Sequence, residues 1–381
     1  MKTRTRSHNI HDVVIIGAGP AGVGLAVLLK KIGIDDVVIL EADTMVGATF
    51  RKWPREMRFI TPSFNGNDFG AYDLNSIAPE TSPGHLFRKE HLCGAEYAAY
   101  LEAVVEHFQL RVRTSSLVLR VARDQKGFRI TPKGKRTIQS RSIVWAGGEF
   151  SFPAEGDFSG SELCLHNTRV MSWEQFGQPD QYTVIGGYES GIDAAYHLTR
   201  LGHTVTVIDQ AAPWDEEHTD PSRTLSPYTF ERLTEAIATG RLTLVPHTRI
   251  ESVIRNKTTW EVRATDGKSW SSNTLPILAN GFDIRKSPII QDLFDRDPNS
   301  GHIALTENDE STLVPGAYLV GPSLRQQDLI FCFIYKFRGR FPVVARAIAK
   351  QLGRSITLPQ EYTRAALTVD DLSCCGGGCG C

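Results

Sequence analysis

A chain of 381 residues, 41% of them hydrophobic, carries enough apolar material for two domain cores. Its 42 Lys and Arg against 43 Asp and Glu give a formal net charge of -1 with no basic stripe, which speaks against a polyanion such as nucleic acid as a partner. The opening MKTRTRSHNIHD is basic, but the apolar run behind it is only VVII before glycine, too short for a signal h-region or a membrane span; a cytoplasmic protein is expected.

The first element pattern is VVIIGAGPAGVGLAVLLKKIG, Val13 to Gly33: a buried strand, a glycine turn and a helix. In such a turn Gly17 permits the tight bend, Gly19 lets the backbone approach a pyrophosphate, and Gly22 lets the helix pack against the strand. Pro20 and Ala21 complete the fingerprint, and the helix N-terminus faces the phosphates. The next strand, VVIL, ends at Glu41, where a carboxylate accepts from a ribose diol.

A helix is expected over 90–110, with Leu92, Tyr97, Tyr100, Leu101, Val104, Val105 and Phe108 on its apolar face. Short strands around Val112, Leu119, Phe128 and Ile143, separated by Gly127 and by PKGK, read as an antiparallel ribbon. Strand, glycine turn, helix, strand and terminal acid then recur from Tyr182 to Asp209. Gly186, Gly187 and Gly191 are in place with Ser190 beside them, but Tyr188 stands where the pattern has its middle glycine. Asp209 would bond a ribose 2′-OH and repel a 2′-phosphate, which leans toward NADH, while nearby Arg200 and His203 leave NADPH open. The segment PWDEEHTDPSRTLSP, Pro213 to Pro227, reads as an exposed loop whose acidic run is a solvated face rather than a metal site.

Cys93, Cys164 and Cys332 are isolated and read as plain core or surface thiols, whereas LSCCGGGCGC at the end holds four of the seven cysteines. Adjacent Cα atoms lie about 3.8 Å apart and disulfides span about 4.4 to 6.8 Å, so Cys374 and Cys375 suit paired ligands or bridges across the glycines to Cys379 or Cys381. Thirteen residues from Val369 extend on the order of 40 Å, far enough to carry a thiol to a cleft or a partner.

Two dinucleotide units in one chain, the first with a complete FAD-type fingerprint, resemble the flavoprotein reductases that bind FAD in one domain and NAD(P)H in the other. The resemblance covers most of residues 10–350. It implies an α/β fold of two Rossmann-like domains: an FAD domain of 1–170 plus 310–365, an inserted NAD(P)H domain of 175–305 and a flexible Cys/Gly tail over 366–381. SIVWAGGEF stands where that superfamily returns to the FAD domain, and AYLVGP stands where it has Gly-Asp against the ribityl chain. Here Pro322 replaces the acid, so that contact falls to a backbone group or another side chain.

MVGATFRKWPREMRFITPSF and FSGSELCLHN resemble segments of class B flavin monooxygenases and CzcO-like flavoproteins, with Asn167 in place of a Ser or Thr. His166 there is either a proton relay beside the flavin or a structural residue fixing an interdomain loop. Arg51, Lys52 and Arg58 read as surface cations, with an approach to the cofactor or the nicotinamide phosphates as the alternative, and Trp53 and Phe59 as packing residues. GGYESGIDAA and IFCFIYKFRGRFPVVARAIA resemble the bacillithiol-disulfide reductase group, which has a cysteine in its first glycine motif where this chain has Ala21. DLSCCGG resembles the carboxy-terminal cysteine pair of mercuric reductases, and soft thiolates there would bind a soft metal ion.

The function expected is an FAD-dependent oxidoreductase taking hydride from NADH or NADPH and reducing a disulfide or soft metal through Cys374, Cys375, Cys379 and Cys381. A class B type monooxygenase is the alternative, and a metal sensor or carrier with a vestigial flavin fold is a third reading. The partners implied are a small molecule or thiol/disulfide substrate, a redoxin-like protein and a second copy in a homodimer, with no nucleic acid and no membrane.

Overall fold

The computed structural model describes residues 10–64, 71–218, 220–364, 368–369 and 372. Strand β1 (His11–Ile16) runs into helix α1 (Pro20–Lys31) and then β2 (Val37–Leu40). Val13 to Ile15 and Val38 to Leu40 are almost wholly buried, as expected of parallel strands covered on both faces. After the short α2 (Pro83–Phe87) and α3 (Gly94–His107) come β3 (Val112–Arg113), β4 (Val118–Asp124), β5 (Gly127–Pro132) and β6 (Ile138–Trp145).

The expected ribbon is only partly separate. β4, β5 and β6 are antiparallel neighbours, but β3 at Val112 pairs parallel with β2, and the eight-residue β6 pairs parallel with β1 from Ser140 through its C-terminal half. Much later β15 (Ala317–Leu319) pairs with the same half of β6, also parallel. The seven-stranded sheet runs β3-β2-β1-β6-β5-β4 with β15 on β6. In register, Ile16 lies beside Leu40 and Trp145, and Trp145 beside Leu319. The turns after β1, β2, β6 and β15 therefore collect along one edge, the carboxyl ends where open α/β sheets bind ligands.

The second unit has a five-stranded parallel sheet, β10-β9-β8-β14-β7. Its strands are β7 (Leu165–His166), β8 (Gln181–Ile185), β9 (Thr204–Ile208), β10 (Leu242–Val245) and β14 (Ile277–Leu278). Helix α4 (Glu189–Arg200) joins β8 to β9, α5 (Pro227–Ala238) precedes β10, and an antiparallel meander of β11 (Ile250–Asn256), β12 (Thr259–Ala264) and β13 (Ser269–Ser272) lies between β10 and β14. His166, Leu278, Ile185, Ile208 and Val245 form one row at the carboxyl ends of these strands.

The chain then returns through α6 (Pro288–Leu293), β15, the hairpin β16 (Arg325–Gln326) and β17 (Leu329–Ile330), and helices α7 (Ile334–Phe337), α8 (Phe341–Gln351) and α9 (Gln360–Arg364). By contacts the first unit comprises 1–51, 62–149 and 284–381, and the second 52–61 and 150–283. These bounds differ from the expected ones. β7 pairs with β14, which draws 150–170 into the second unit, and α6 packs on β4, which draws 284–310 into the first. Residues 52–61 join the second unit because Glu56 accepts from the Ser172 hydroxyl at 2.5 Å and the Trp173 amide at 3.0 Å. Among the described residues no helix is long and apolar enough to cross a membrane.

Candidate functional site

Gly17 has φ +106°, and a methyl group there would lie 2.4 Å from the Ala146 carbonyl oxygen, so both backbone and space demand glycine. A methyl on Gly22 would lie 2.1 Å from the Gly17 oxygen, which is the close packing of helix on strand read from the sequence. Gly19 is different. It is the N-cap of α1 at φ -84° and ψ -174°, and a methyl there would meet nothing within 4 Å. Pro20 takes the first helical position, where its missing N–H costs nothing.

Glu41 Oε2 accepts from the Ala18 amide at 2.8 Å and Oε1 from the Asp43 amide at 2.9 Å. A carboxylate has about four lone-pair sites, so two remain for a ribose diol. The turn, its open face and this acid fit the pyrophosphate and ribose of FAD.

The turns after β6 and β15 add a group the sequence reading passed over. Glu149, just after Gly147 and Gly148, accepts from the Ser323 hydroxyl at 3.1 Å. Burial pushes its carboxyl above the ordinary range, against the pull of Ser323 and the Arg325 charge. Arg325 donates to the Pro322 and Leu324 carbonyls, and a methyl on Gly321 would lie 3.3 Å from the Ala21 side chain. Glu149 and Ser323 are thus the polar side chains present where Pro322 offers none. A glutamate ending SIVWAGGE was the available signal.

The second turn repeats the first closely. Gly186 has φ +100° with the Ala279 oxygen 2.5 Å from a methyl position, and a methyl on Gly191 would lie 1.9 Å from the Gly186 oxygen. Asp209 Oδ2 accepts from the Gly187 amide at 2.7 Å, as Glu41 does from Ala18. Its Oδ1 takes the Ala211 and Ala212 amides, which leaves less capacity for a ribose than Glu41 has. Ser190 lies in the first turn of α4.

Arg200 and His203 do not approach this turn. Arg200 ends the twelve-residue α4, about 16 Å along the axis from its start, where it donates to Tyr196 Oη at 2.6 Å and pairs with Glu235. His203 is fully buried and accepts from the Asp180 amide through Nδ1. Neither is placed to meet a 2′-phosphate at the turn.

His166 is buried in the same row of strand ends. Its Nδ1 accepts from the Thr168 amide at 3.3 Å, so Nε2–H donates to the Gly281 carbonyl at 3.2 Å. The ring thereby ties residues 166–168 to residue 281 of the same unit.

Arg51 pairs with Glu102 at 2.9 Å, and the Trp53 and Phe59 rings pack 5.0 Å apart. Cys93 caps α3, and burial pushes the Cys164 thiol up to about 12, out of reach of thiolate chemistry. Cys332 lies between β17 and α7. Cys374, Cys375, Cys379 and Cys381 lie outside the described residues, and with them the expected metal ligands. Among the described residues no group of three or more His, Cys, Asp or Glu could hold a metal ion.

Residues 14–321 match the family model for the pyridine nucleotide-disulphide oxidoreductases. The chain is 26% identical over 199 residues to a probable indole-3-pyruvate monooxygenase of Arabidopsis thaliana, covering 50% of this chain and 45% of that one. It is 25% identical over 198 residues to a bacilliredoxin reductase of Bacillus subtilis, covering 51% and 56%. The chain thus spans about half the length of these curated relatives. A bacillithiol disulfide reductase from Staphylococcus aureus has a similar structure, with a TM-score of 0.72 over 90% of this chain and 98% of that one; at 20% identity the likeness is one of fold.

Proposed function

The chain belongs to the pyridine nucleotide-disulphide oxidoreductase family, and from that premise we propose that it is an FAD-dependent NAD(P)H oxidoreductase that reduces a small-molecule or protein disulfide or a soft metal ion through its C-terminal cysteines. The observation that carries this reading is the pair of glycine turns of one design, each with a strand-end carboxylate on the amide of the turn's second residue. FAD bound at the first turn would supply the two-electron relay between nicotinamide and acceptor.

The chain's own residues do the rest. Gly19 leaves room for the pyrophosphate, the N-terminal amides of α1 attract its charge, and Glu41 takes the ribose hydroxyls. Glu149 holds a proton to higher pH than an exposed carboxyl does. Asp209 and the second turn take the nicotinamide nucleotide. The bacilliredoxin and bacillithiol disulfide reductases among the similar proteins support a thiol or disulfide substrate and a redoxin-like partner. Cys374, Cys375, Cys379 and Cys381 are assigned the exchange with that substrate, or the binding of a soft ion delivered for reduction.

Deleting Ser373 to Cys381 tests this. FAD content and NAD(P)H oxidation by an artificial acceptor should persist while turnover on disulfide or metal substrates is lost. Full disulfide and metal turnover in the shortened protein would remove the tail from the mechanism. A class B type monooxygenase is the second reading, favoured by the likeness to the Arabidopsis monooxygenase. Its mark would be one oxygen atom in the product per NAD(P)H consumed.

A further inference from the structure

The two turns differ at one position. Tyr188 is the N-cap of α4 at φ -83° and ψ -164°, nearly the backbone of Gly19 at the N-cap of α1. Its Cβ therefore leaves the chain in the direction that at Gly19 meets nothing within 4 Å. That open side is the one by which a pyrophosphate reaches the amides of such a turn.

In the second unit this side is occupied by the chain itself. The Tyr188 hydroxyl proton is shared between the carbonyl oxygens of Pro221 at 3.1 Å and Thr224 at 2.9 Å. The next residue, Glu189, accepts from the Ser226 amide at 2.6 Å and from the hydroxyls of Ser226 and Thr229, so its carboxylate caps the start of α5 rather than facing solvent. The Trp214 ring closes on Gly187, where a methyl would lie 2.1 Å from a ring carbon. Residues 220–226 are held at both ends by the first two residues that follow the glycine pair.

We propose that residues 220–226 form a strap latched over the second glycine turn by Tyr188, that an incoming nicotinamide nucleotide lifts it, and that Tyr188 thereby sets nucleotide affinity. The inference rests on the nicotinamide reading of the second unit. A site competent in only a fraction of molecules binds with its intrinsic constant divided by that fraction, so weakening the latch tightens apparent binding. Tyr188 acts here as a positioning residue, through the strap.

Tyr188→Phe removes the shared hydrogen bond and keeps the ring. With the flavin-loaded protein, the apparent Kd for NADH should fall about two- to tenfold, the factor one such bond supplies, and the change should appear in KM rather than kcat. A second measurement uses the unaltered protein: exposed Arg223 lies in the strap, and saturating NADH should speed tryptic cleavage after it. An unchanged Kd in Tyr188→Phe overturns the latch. Slower cleavage at Arg223 with NADH overturns the lifting, since the strap would then close on the nucleotide. Failure of both proteins to bind NADH or NADPH rejects the nicotinamide reading, and the latch with it.

Discussion

Gly17 and Gly19 stand two residues apart and answer to different demands. Gly17→Ala drives a methyl against the Ala146 carbonyl at a positive φ, so it should destabilise the protein even without flavin. Gly19→Ala meets no protein atom, so the flavin-free protein should melt as before while FAD affinity falls. Thermal melts and flavin content after purification check both, and a Gly19→Ala protein with full flavin would place the cofactor elsewhere. Glu56 provides a pH test. Burial raises its carboxyl, but bonds from Ser172 and Trp173 outweigh this and hold it below the usual 4.5. A depressed folded value means stability that is present above the unfolded value and lost as pH falls through the folded one. Glu56→Gln should therefore lower Tm at about pH 6 and lower it progressively less as the pH falls below the usual 4.5.

At the scale of elements, the strand–turn–helix units were legible because each joins a buried β-branched run to glycines at fixed spacing, and the structure puts Glu41 and Asp209 on the turn amides. β6 departs from the expected ribbon because IQSRSIVW serves two partners: residues 138–140 pair antiparallel with β5, while Ser140 to Trp145 pair parallel with β1. Glu149 and Ser323 could not be paired from sequence, since 174 residues separate them. The contact of α1 with α8 was equally hidden. Gly24 lies against Phe341, with a ring carbon 2.4 Å from a methyl position, and Phe341 is fully buried and unable to yield. Gly24→Ala should cost about 1–3 kcal/mol by denaturant unfolding, and Phe341→Leu should recover part of the loss in the double variant.

At the scale of the molecule, the acid at the end of β9 and the remote positions of Arg200 and His203 set the expected coenzyme preference. kcat/KM for NADH should exceed that for NADPH, and a preference for NADPH would assign Asp209 to the turn amides alone. The late pairing of β15 with β6 bears on how the protein is made. On the ribosome, β6 emerges some 170 residues before the strand that covers its exposed edge, a wait of on the order of ten to thirty seconds at 5–20 residues per second. Residues 150–283, with a sheet of their own, are complete within that interval. The edge of β6 from Ile143 to Trp145 is apolar and unpaired throughout, a template for another nascent chain. Translation that stalls before Ala317 therefore leaves a chain that has all of both glycine turns yet carries an open sheet edge, the form a holdase chaperone would have to shield.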